Sequence, residues 1–293
     1  MGDLCKDRVV IVTGAGGGLG RQYALHLADA GARVVVSDIN GETAQKTVDD
    51  IVSAGGEAIV DTRDITDYAA SAQMVSDTIE RFGDLHAVVN NAGVCRDRMF
   101  TSLSEDDWDQ VMRVHLKGHF CLASSAAKYW RLQVKAGETV DARIINTSSG
   151  AGLQGSIGQS NYSAAKGGIL SLTLVQAAEL ARYGVTANAL APSARTGMTE
   201  DVFAEMMKKP EDGSFDIYDP ANVAPLVVWL TSSASKGVTG QCFEVFGGKV
   251  SVADGWRTGQ EIDNGEKWRP EALGDAVSAL LQKAEPAQKV YGT

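Results

Sequence analysis

The sequence has little of what metal centres, disulfide-bonded proteins and membrane proteins need. Four cysteines and four histidines occur among 293 residues. Neither set shows C-x-x-C spacing or a zinc-ligand pattern, so we predict reduced thiols and no metal. The apolar run Val9–Val12 is far too short for a signal peptide or a membrane span. A formal net charge of −10 without a basic stripe argues against a nucleic-acid partner. We therefore expect a cytoplasmic protein that binds neither membrane nor nucleic acid.

Apolar strands alternate regularly with helices along most of the chain. Hydrophobic residues make up 44% of the sequence, enough for a large core. Buried β-branched strands joined by helices predict a single α/β domain with a parallel, doubly wound sheet and helices on both faces. The longest helices are expected near 105–131 and 161–183. The seven expected strands lie near residues 8–13, 33–37, 57–61, 86–90, 142–148, 184–190 and 241–245.

Three side chains in the middle of the sequence have the spacing of a proton-transfer site. Tyr162 precedes Lys166 by four residues, so both lie on one face of the expected helix. Tyrosine, with a reference pKa of about 10, is a poor base near neutral pH, and a nearby ammonium lowers that pKa. Ser149 can hold a substrate oxygen by a hydrogen bond. Together they indicate acid–base chemistry on a secondary alcohol or ketone, although Y-x-x-x-K alone also occurs on ordinary solvated helices.

A glycine-rich turn follows the first expected strand. Thr13 runs into Gly14, Gly18 and Gly20, and an amphipathic stretch begins at Arg21. Glycines let an anion approach closely, and the free N–H groups of a helix N-terminus favour it. The arrangement predicts a Rossmann-type site for the pyrophosphate of a dinucleotide, with a flexible loop that binds nothing as the alternative.

Asp38 ends the second expected strand, about twenty positions beyond the glycines. An acidic residue there accepts hydrogen bonds from a free ribose and repels a 2′-phosphate. Asp38 therefore favours NAD over NADP, unless it only ends the strand or caps a turn.

Together, these motifs resemble those of the short-chain dehydrogenases/reductases over roughly residues 7–250. Further matches are Asp64-Ile65-Thr66, the run Asn90–Gly93 that closes the fourth strand, and Pro192 with Thr196. The resemblance implies that Ser149, Tyr162 and Lys166 are the catalytic residues. It implies cofactor contacts, with NAD as cofactor, at Gly14, Gly18, Leu19, Gly20, Asp38, Asp64, Ile65, Asn91, Ala92, Gly93, Tyr162, Lys166 and Thr196.

Two positions depart from the family pattern. His115 stands where the family usually has asparagine, a residue whose main-chain carbonyl holds a water that links the lysine to solvent. A histidine preserves that carbonyl and could also titrate near neutral pH; we favour a structural role at a helix bend. Ser193 replaces an expected glycine, which raises a question about the local backbone.

One group within this family is most similar in three segments: Asn90–Phe100, Val114–Gly118 and Ala224–Leu230. They are similar to the (3R)-hydroxyacyl-CoA dehydrogenase domains of type 2 peroxisomal multifunctional enzymes, a group that includes 17β-hydroxysteroid dehydrogenase type 4, and to their bacterial relatives. This implies hydride transfer between NAD and a 3-hydroxyacyl-CoA or similar lipid-derived substrate. A hydroxysteroid dehydrogenase and a non-catalytic NAD-binding scaffold remain alternatives. A bound acyl-CoA would need a local basic patch, for which the candidates are Arg96, Arg98, Lys208 and Lys209, although an ordinary solvated charge is the commoner role for each.

The remaining expectations concern the outer parts of the domain. We expect a catalytic domain over residues 1–250, with a substrate lid at 197–219, and an extension over 251–293. Apolar lid residues could line a pocket or simply pack a small helix; they are Met198, Phe203, Met206 and Met207. Trp256 and Trp268 are expected to cover the substrate cleft or to reach a neighbouring subunit. The family resemblance implies a homodimer or homotetramer.

Overall fold

A computed structural model describes residues 2–195, 207–286 and 288–291. Its centre is one twisted sheet with strand order β3-β2-β1-β4-β5-β6-β7-β8. The first seven strands are parallel, and β8 runs antiparallel to β7. The strands are β1 Val9–Thr13, β2 Arg33–Ser37, β3 Glu57–Asp61, β4 Ala87–Asn90, β5 Ala142–Thr147, β6 Val185–Ser193, β7 Cys242–Phe246 and β8 Lys249–Val252.

Helices connect the parallel strands. A π-helical segment, Met112–Lys117, joins the helices Glu105–Val111 and Gly118–Lys135 into one long element. Among the described residues, no helix combines the length and apolarity needed to cross a membrane. The α-helices are α1 Gly18–Asp29, α2 Gly41–Ser53, α3 Tyr68–Phe82, α4 Glu105–Val111, α5 Gly118–Lys135, α6 Gly150–Gln154, α7 Ser160–Leu180, α8 Ala224–Thr231 and α9 Pro270–Leu281.

The core lies on both faces of the sheet because side chains alternate along each strand. In β1, Val10 and Val12 pack into one apolar cluster with α1 and α8, whereas Val9 and Ile11 pack into a second cluster with α3 and α5. All five residues of β1 are buried. Burial on both faces explains why the strand reads as an unbroken apolar run. The predicted doubly wound α/β architecture is thus confirmed.

The predicted strand count was one too few. Phe246 pairs with Lys249 across Gly247-Gly248, which makes β7 and β8 a hairpin with a two-residue turn. Gly247 has φ +54°, a conformation that such a turn requires and that glycine adopts without strain. The sheet therefore has eight strands, of which seven are parallel.

Strand order reverses between β1 and β4, the position at which doubly wound sheets bind ligands. β1 pairs with β2 on one side and with β4 on the other. The loops that leave the carboxyl ends of β1 and β4 consequently lie side by side. They carry the glycine turn and the Asn91–Gly93 segment, so the fold brings two distant motifs together.

The chain beyond β8 makes few contacts with the domain until residue 288. Trp256 is completely exposed, and α9 has no buried residue. The expectation that Trp256 covers the protomer's own cleft is therefore wrong. The segment 288–291 returns instead to the loop that follows α6, where Tyr291 forms an isolated β-bridge with Ser156.

Candidate active site

The glycine turn after β1 is shaped by close approach to the loop after β4. Gly14 has φ +63°, and a Cβ there would lie 2.8 Å from the Ala92 Cα. A Cβ on Gly20 would lie 2.1 Å from the Gly14 carbonyl oxygen. Only glycine fits at either position, because in both cases the obstructing atom belongs to the backbone.

Asn91 and Thr13 hold the two loops together. The Asn91 side-chain amide donates to the Thr13 carbonyl at 3.0 Å. The Thr13 hydroxyl accepts from the Asn91 and Ala92 N–H groups at 2.9 and 3.1 Å. These bonds fix the turn in front of α1, whose N-terminus has neither a side-chain cap nor an acidic residue in its first turn. Its N–H groups are thus free to bind the pyrophosphate of a dinucleotide.

The Asp38 carboxylate lies against this turn. One oxygen accepts from the Gly16 N–H and the other from the Asn40 N–H, both at 3.0 Å. Asp38 directly follows β2 at the edge of the glycine turn, where a cofactor ribose would lie beside it. Nearby arginines are already paired: Arg21 with Asp50, and Arg63 with both Asp61 and Asp77.

The other predicted cofactor contacts differ in how exposed their side chains are. Leu19 is partly buried against the core, whereas Asp64 is exposed and forms an ion pair with Arg113 at 3.9 Å. The Ile65 side chain packs into the core against Gly118, so only its main chain is available to a ligand. Thr196 lies outside the described residues.

Tyr162, Lys166 and Ser149 meet at the carboxyl end of β5. Lys166 lies one turn after Tyr162 in α7, and its Nζ is 5.4 Å from the centre of the Tyr162 ring. Ser149 caps α6, where its hydroxyl accepts from the Ala151 N–H at 3.2 Å, and it lies close enough to Tyr162 to lower the pKa of the phenol. The fold therefore brings the three predicted catalytic side chains together.

The protonation of this pair differs from the expectation. Burial raises the pKa of Tyr162 and the nearby Cys95 raises it further, while the Ser149 hydroxyl lowers it. Burial also lowers the pKa of Lys166 to about 7. The expected lowering of the tyrosine pKa by Lys166 is thus absent from the protein alone. Desolvation is the largest cause of both shifts, and Nζ donates to the Thr147 carbonyl at 2.6 Å.

His115 lies under the ring of Tyr162, the predicted catalytic tyrosine. The two rings meet edge to face, with centroids 5.2 Å apart, and Nε2 is 2.7 Å from the Val94 carbonyl oxygen. Burial, followed by the charge of Lys166, lowers the pKa of His115 to about 3. A Cβ on Gly93 would lie 2.2 Å from the imidazole, so this glycine makes room for the ring. His115 is therefore neutral, which agrees with the structural role favoured from the sequence.

Sequence reasoning did not select two buried residues next to this site. His119 is fully buried one turn after His115, and burial holds its pKa well below the usual range. The Asn161 amide donates to the Arg96 carbonyl at 3.1 Å and to the Asp107 carbonyl at 3.3 Å, which ties the loop after β4 to the start of α7. For His119, the spacing of four from His115 was the available signal.

Arg195, just before the expected lid, contacts the part of the lid that the structure describes. Arg195 forms an ion pair with Asp216 and donates to the Met207 carbonyl, and its N–H donates to the Tyr218 carbonyl at 2.7 Å. Met198, Phe203 and Met206 lie outside the described residues. Ser193, at the end of β6, has no positive φ, so its replacement of glycine introduces no backbone strain.

Comparisons with known proteins agree with this geometry. Residues 8–207 match the family described as short chain dehydrogenase. The chain is similar to the hydroxyacyl-CoA dehydrogenase ChsB1 of Mycobacterium tuberculosis, with 42% identity over 98% of this chain and 93% of the relative. It is 40% identical to the mouse peroxisomal multifunctional enzyme type 2 over 85% of this chain, a match that spans 32% of that longer protein.

A solved structure resembles the whole chain. The crystal structure of a short chain dehydrogenase from Mycobacterium avium is 55% identical, with a TM-score of 0.91. The match covers 99% of this chain and 100% of that one.

Proposed function

We propose that this chain, which belongs to the short-chain dehydrogenase family, transfers a hydride between NAD and a 3-hydroxyacyl-CoA or similar lipid-derived thioester. The chain is an oxidoreductase that acts on CH–OH groups. One observation carries the proposal: the hydroxyls of Ser149 and Tyr162 meet beside Lys166, at the strand ends that also hold the glycine turn.

In the oxidation direction, Ser149 and Tyr162 hold the substrate hydroxyl between them. The phenolate of Tyr162 takes the hydroxyl proton as the carbinol carbon loses its hydride, so the C–H and O–H bonds give way to a C=O bond. When bound, NAD would supply the hydride acceptor. Because burial raises the pKa of Tyr162, the phenol must first release its own proton to solvent. Lys166, when protonated, would stabilise the phenolate by its positive charge.

Two features support NAD rather than NADP as the cofactor. The Asp38 carboxylate lies 3.0 Å from the Gly16 N–H, where it would repel a 2′-phosphate. Arg21 and Arg63 are engaged in ion pairs with acidic side chains, which leaves neither free to bind that phosphate.

Two exposed arginines favour a CoA thioester over a steroid. Arg96 and Arg98 follow the β4 loop, and within the described part of the chain neither forms an ion pair. Each guanidinium group donates only to the carbonyl of the preceding residue, at 2.8 Å. The Asn161 bond to the Arg96 carbonyl keeps this pair beside Tyr162. Free guanidinium groups bind phosphates, which CoA carries and a steroid lacks.

Reduction of NAD with a substrate panel tests the proposal. The panel contains 3-hydroxyacyl-CoA enantiomers, the same acids as N-acetylcysteamine thioesters, a steroid secondary alcohol and a simple secondary alcohol. We expect the highest kcat/KM with a CoA thioester and NAD. Tyr162→Phe should lower kcat by about 10²–10⁴-fold while still binding NAD. A higher kcat/KM with the steroid would identify the protein as a hydroxysteroid dehydrogenase. Inactivity toward every alcohol would favour a non-catalytic NAD-binding scaffold.

The double variant Arg96→Ala/Arg98→Ala tests the CoA contact itself. We expect its KM for the CoA thioester to rise about tenfold, equivalent to about 1.4 kcal/mol, with an unchanged KM for the N-acetylcysteamine thioester. Arg81→Ala, which removes an exposed arginine of α3, is the matched control. An equal rise for both thioesters would show that the arginines shape the loop and do not bind CoA.

A further inference from the structure

The segment 288–291 is joined to the loop that follows α6, the short helix capped by Ser149. The Ile157 N–H donates to the Tyr291 carbonyl at 3.0 Å, and the Tyr291 N–H donates to the Gly155 carbonyl at 3.2 Å. The two bonds form a parallel β-bridge between Ser156 and Tyr291. The loop after α6 thus gains a short added strand from a part of the chain more than 130 residues away.

The Tyr291 side chain lies directly against the residue that follows Ser149. Its hydroxyl accepts from the Gln154 side-chain amide at 2.9 Å. Its ring covers Gly150 so closely that a Cβ there would lie 2.6 Å from the phenol oxygen and 2.8 Å from Cε2. Gly150 begins α6, the helix that Ser149 caps. Tyr291 therefore touches both ends of α6, at Gly150 and at Gln154.

Core formation does not explain this contact. Residues 254–267 are exposed, and α9 buries no side chain, so the chain crosses a solvated stretch before it docks. Tyr291 itself keeps 46% of its surface exposed, which leaves part of its ring free beside the serine loop. Burial raises the pKa of Tyr291, as does the charge of Glu244, so the phenol remains neutral and suits an uncharged ligand.

We propose that Tyr291 is a positioning and specificity-determining residue. It holds the Ser149 loop through α6, and the exposed part of its ring forms a wall of the cleft against which the acyl part of the substrate lies. The inference rests on the proposed function for the class of substrate, whereas the docking of Tyr291 rests on the contacts above. It assigns a role in substrate selection to a residue outside the expected catalytic domain of residues 1–250.

Substitutions at Tyr291 test whether its ring contacts the substrate or only stabilises the fold. We expect Tyr291→Ala to raise KM for a long-chain 3-hydroxyacyl thioester about tenfold, as loss of about 1.4 kcal/mol of binding does. KM for a short-chain thioester should rise less, and KM for NAD should not change. Tyr291→Phe keeps the ring and should retain most of the long-chain affinity. Melting temperatures should stay close to wild type, since Tyr291 lies outside the core.

Gly150→Ala provides an independent test from the other side of the contact. Its methyl group would occupy the position of the Tyr291 ring and should displace it, so that KM rises as in Tyr291→Ala. In the Tyr291→Ala background the same substitution should add nothing further. Additive effects of the two substitutions would overturn the inference, because they would show that Gly150→Ala disturbs Ser149 directly.

The readouts distinguish this inference from the proposed function. If a thioester is not the substrate, the same four variants are compared on whichever secondary alcohol the panel selects. An unchanged KM in Tyr291→Ala for every active substrate would overturn the role of Tyr291 and leave the proposed reaction intact. A lower kcat together with a higher KM for NAD and a lower melting temperature would show that the contact is purely structural. That result would also overturn the role of Tyr291.

Discussion

Tyr162 and Lys166 lie one helical turn apart, yet burial affects their protons in opposite directions. It raises the pKa of the phenol and lowers that of the amine, so both groups tend toward their neutral forms. The sequence predicted their proximity from a spacing of four. It could not predict their desolvation, because the buried surroundings come from β5 and the loop after β4.

The lowered pKa of Lys166 predicts a pH-dependent stability. Between the folded pKa of about 7 and the usual value of about 10.4, the unfolded lysine holds a proton that the folded one has lost. The free energy of unfolding should therefore rise with pH in this window, by up to about 1.4 kcal/mol per pH unit. Lys166→Met should lack this contribution. Denaturant melts of both proteins from pH 6 to about 9 measure the difference, and parallel curves would contradict the shift.

Asp38 gives a second prediction at the residue scale. Asp38→Ala removes the carboxylate that accepts from Gly16 and Asn40, so NAD should bind more weakly. Discrimination against NADP should also fall, because the charge that repels a 2′-phosphate is gone. Titration of both cofactors measures the ratio of dissociation constants. Asp49→Ala, on the exposed surface of α2, is the control, and a wild-type preference for NADP would refute the assignment.

The histidines show what residue type alone can and cannot predict. His115 was noticed because it departs from a family pattern, and its neutral state follows from burial under Tyr162. His119 was overlooked, although it is fully buried beside the same lysine. A histidine on an amphipathic helix looks the same in sequence whether it faces solvent or a buried lysine such as Lys166.

At the scale of elements, the sequence predicted the seven parallel strands to within a few residues. Their β-branched runs are buried on both faces, a pattern with few alternatives. β8 was missed because it has only four residues and all of them are exposed, so the alternation of Val250 and Val252 with polar residues is too short to mark a buried face. Gly247-Gly248 was the signal that could have identified it, since two glycines between strand-forming residues are typical of a hairpin.

The extension was harder to interpret than the sheet. Trp256 is exposed although tryptophan is usually buried, and the residue that docks on α6 and the loop after it is Tyr291. The docking depends on a backbone β-bridge, for which the sequence around 288–291 carries no periodic pattern. Such a contact could be found only from the structure.

Because β1 and α1 pack closely where they join, one added methyl group there should lower the stability of the protein considerably. A Cβ on Gly20 would lie 2.1 Å from the Gly14 carbonyl and 2.6 Å from the Asn91 amide. Gly20→Ala should therefore lower the free energy of unfolding by about 1–3 kcal/mol. Gly17→Ala, where a Cβ meets nothing within 4 Å, is the matched control. Denaturant melts of the cofactor-free proteins measure both, and equal stabilities would show that the turn relaxes easily.

At the scale of the whole molecule, the outer surface of α5 and α7 remains to be covered. Phe120, Leu132, Leu174 and Val175 on these helices are 47–63% exposed, and a groove of about 430 Å³ lies between the two helices. Exposed apolar patches of this kind mark protein interfaces. With the family resemblance, this supports the proposal of a homodimer or homotetramer that pairs through α5 and α7.

Charge introduced on that surface should break the assembly. Leu174→Asp/Val175→Asp should shift the protein to a smaller species in size-exclusion chromatography with light scattering, because two carboxylates would be buried without partners. Val52→Asp places a charge on an equally exposed apolar site of α2 and should leave the mass unchanged. A wild-type protein that is monomeric at micromolar concentration would refute the proposal.

The seam between β1 and β4 also sets an order of events during synthesis on the ribosome. A nascent chain that has emerged through residue 61 already contains β1, β2 and β3, but it lacks Asn91, whose amide holds the Thr13 carbonyl. The glycine turn would then have no support on its far side. We expect ribosome-arrested chains of that length to retain no dinucleotide, and this capacity to arise only after translation has passed the β4 loop.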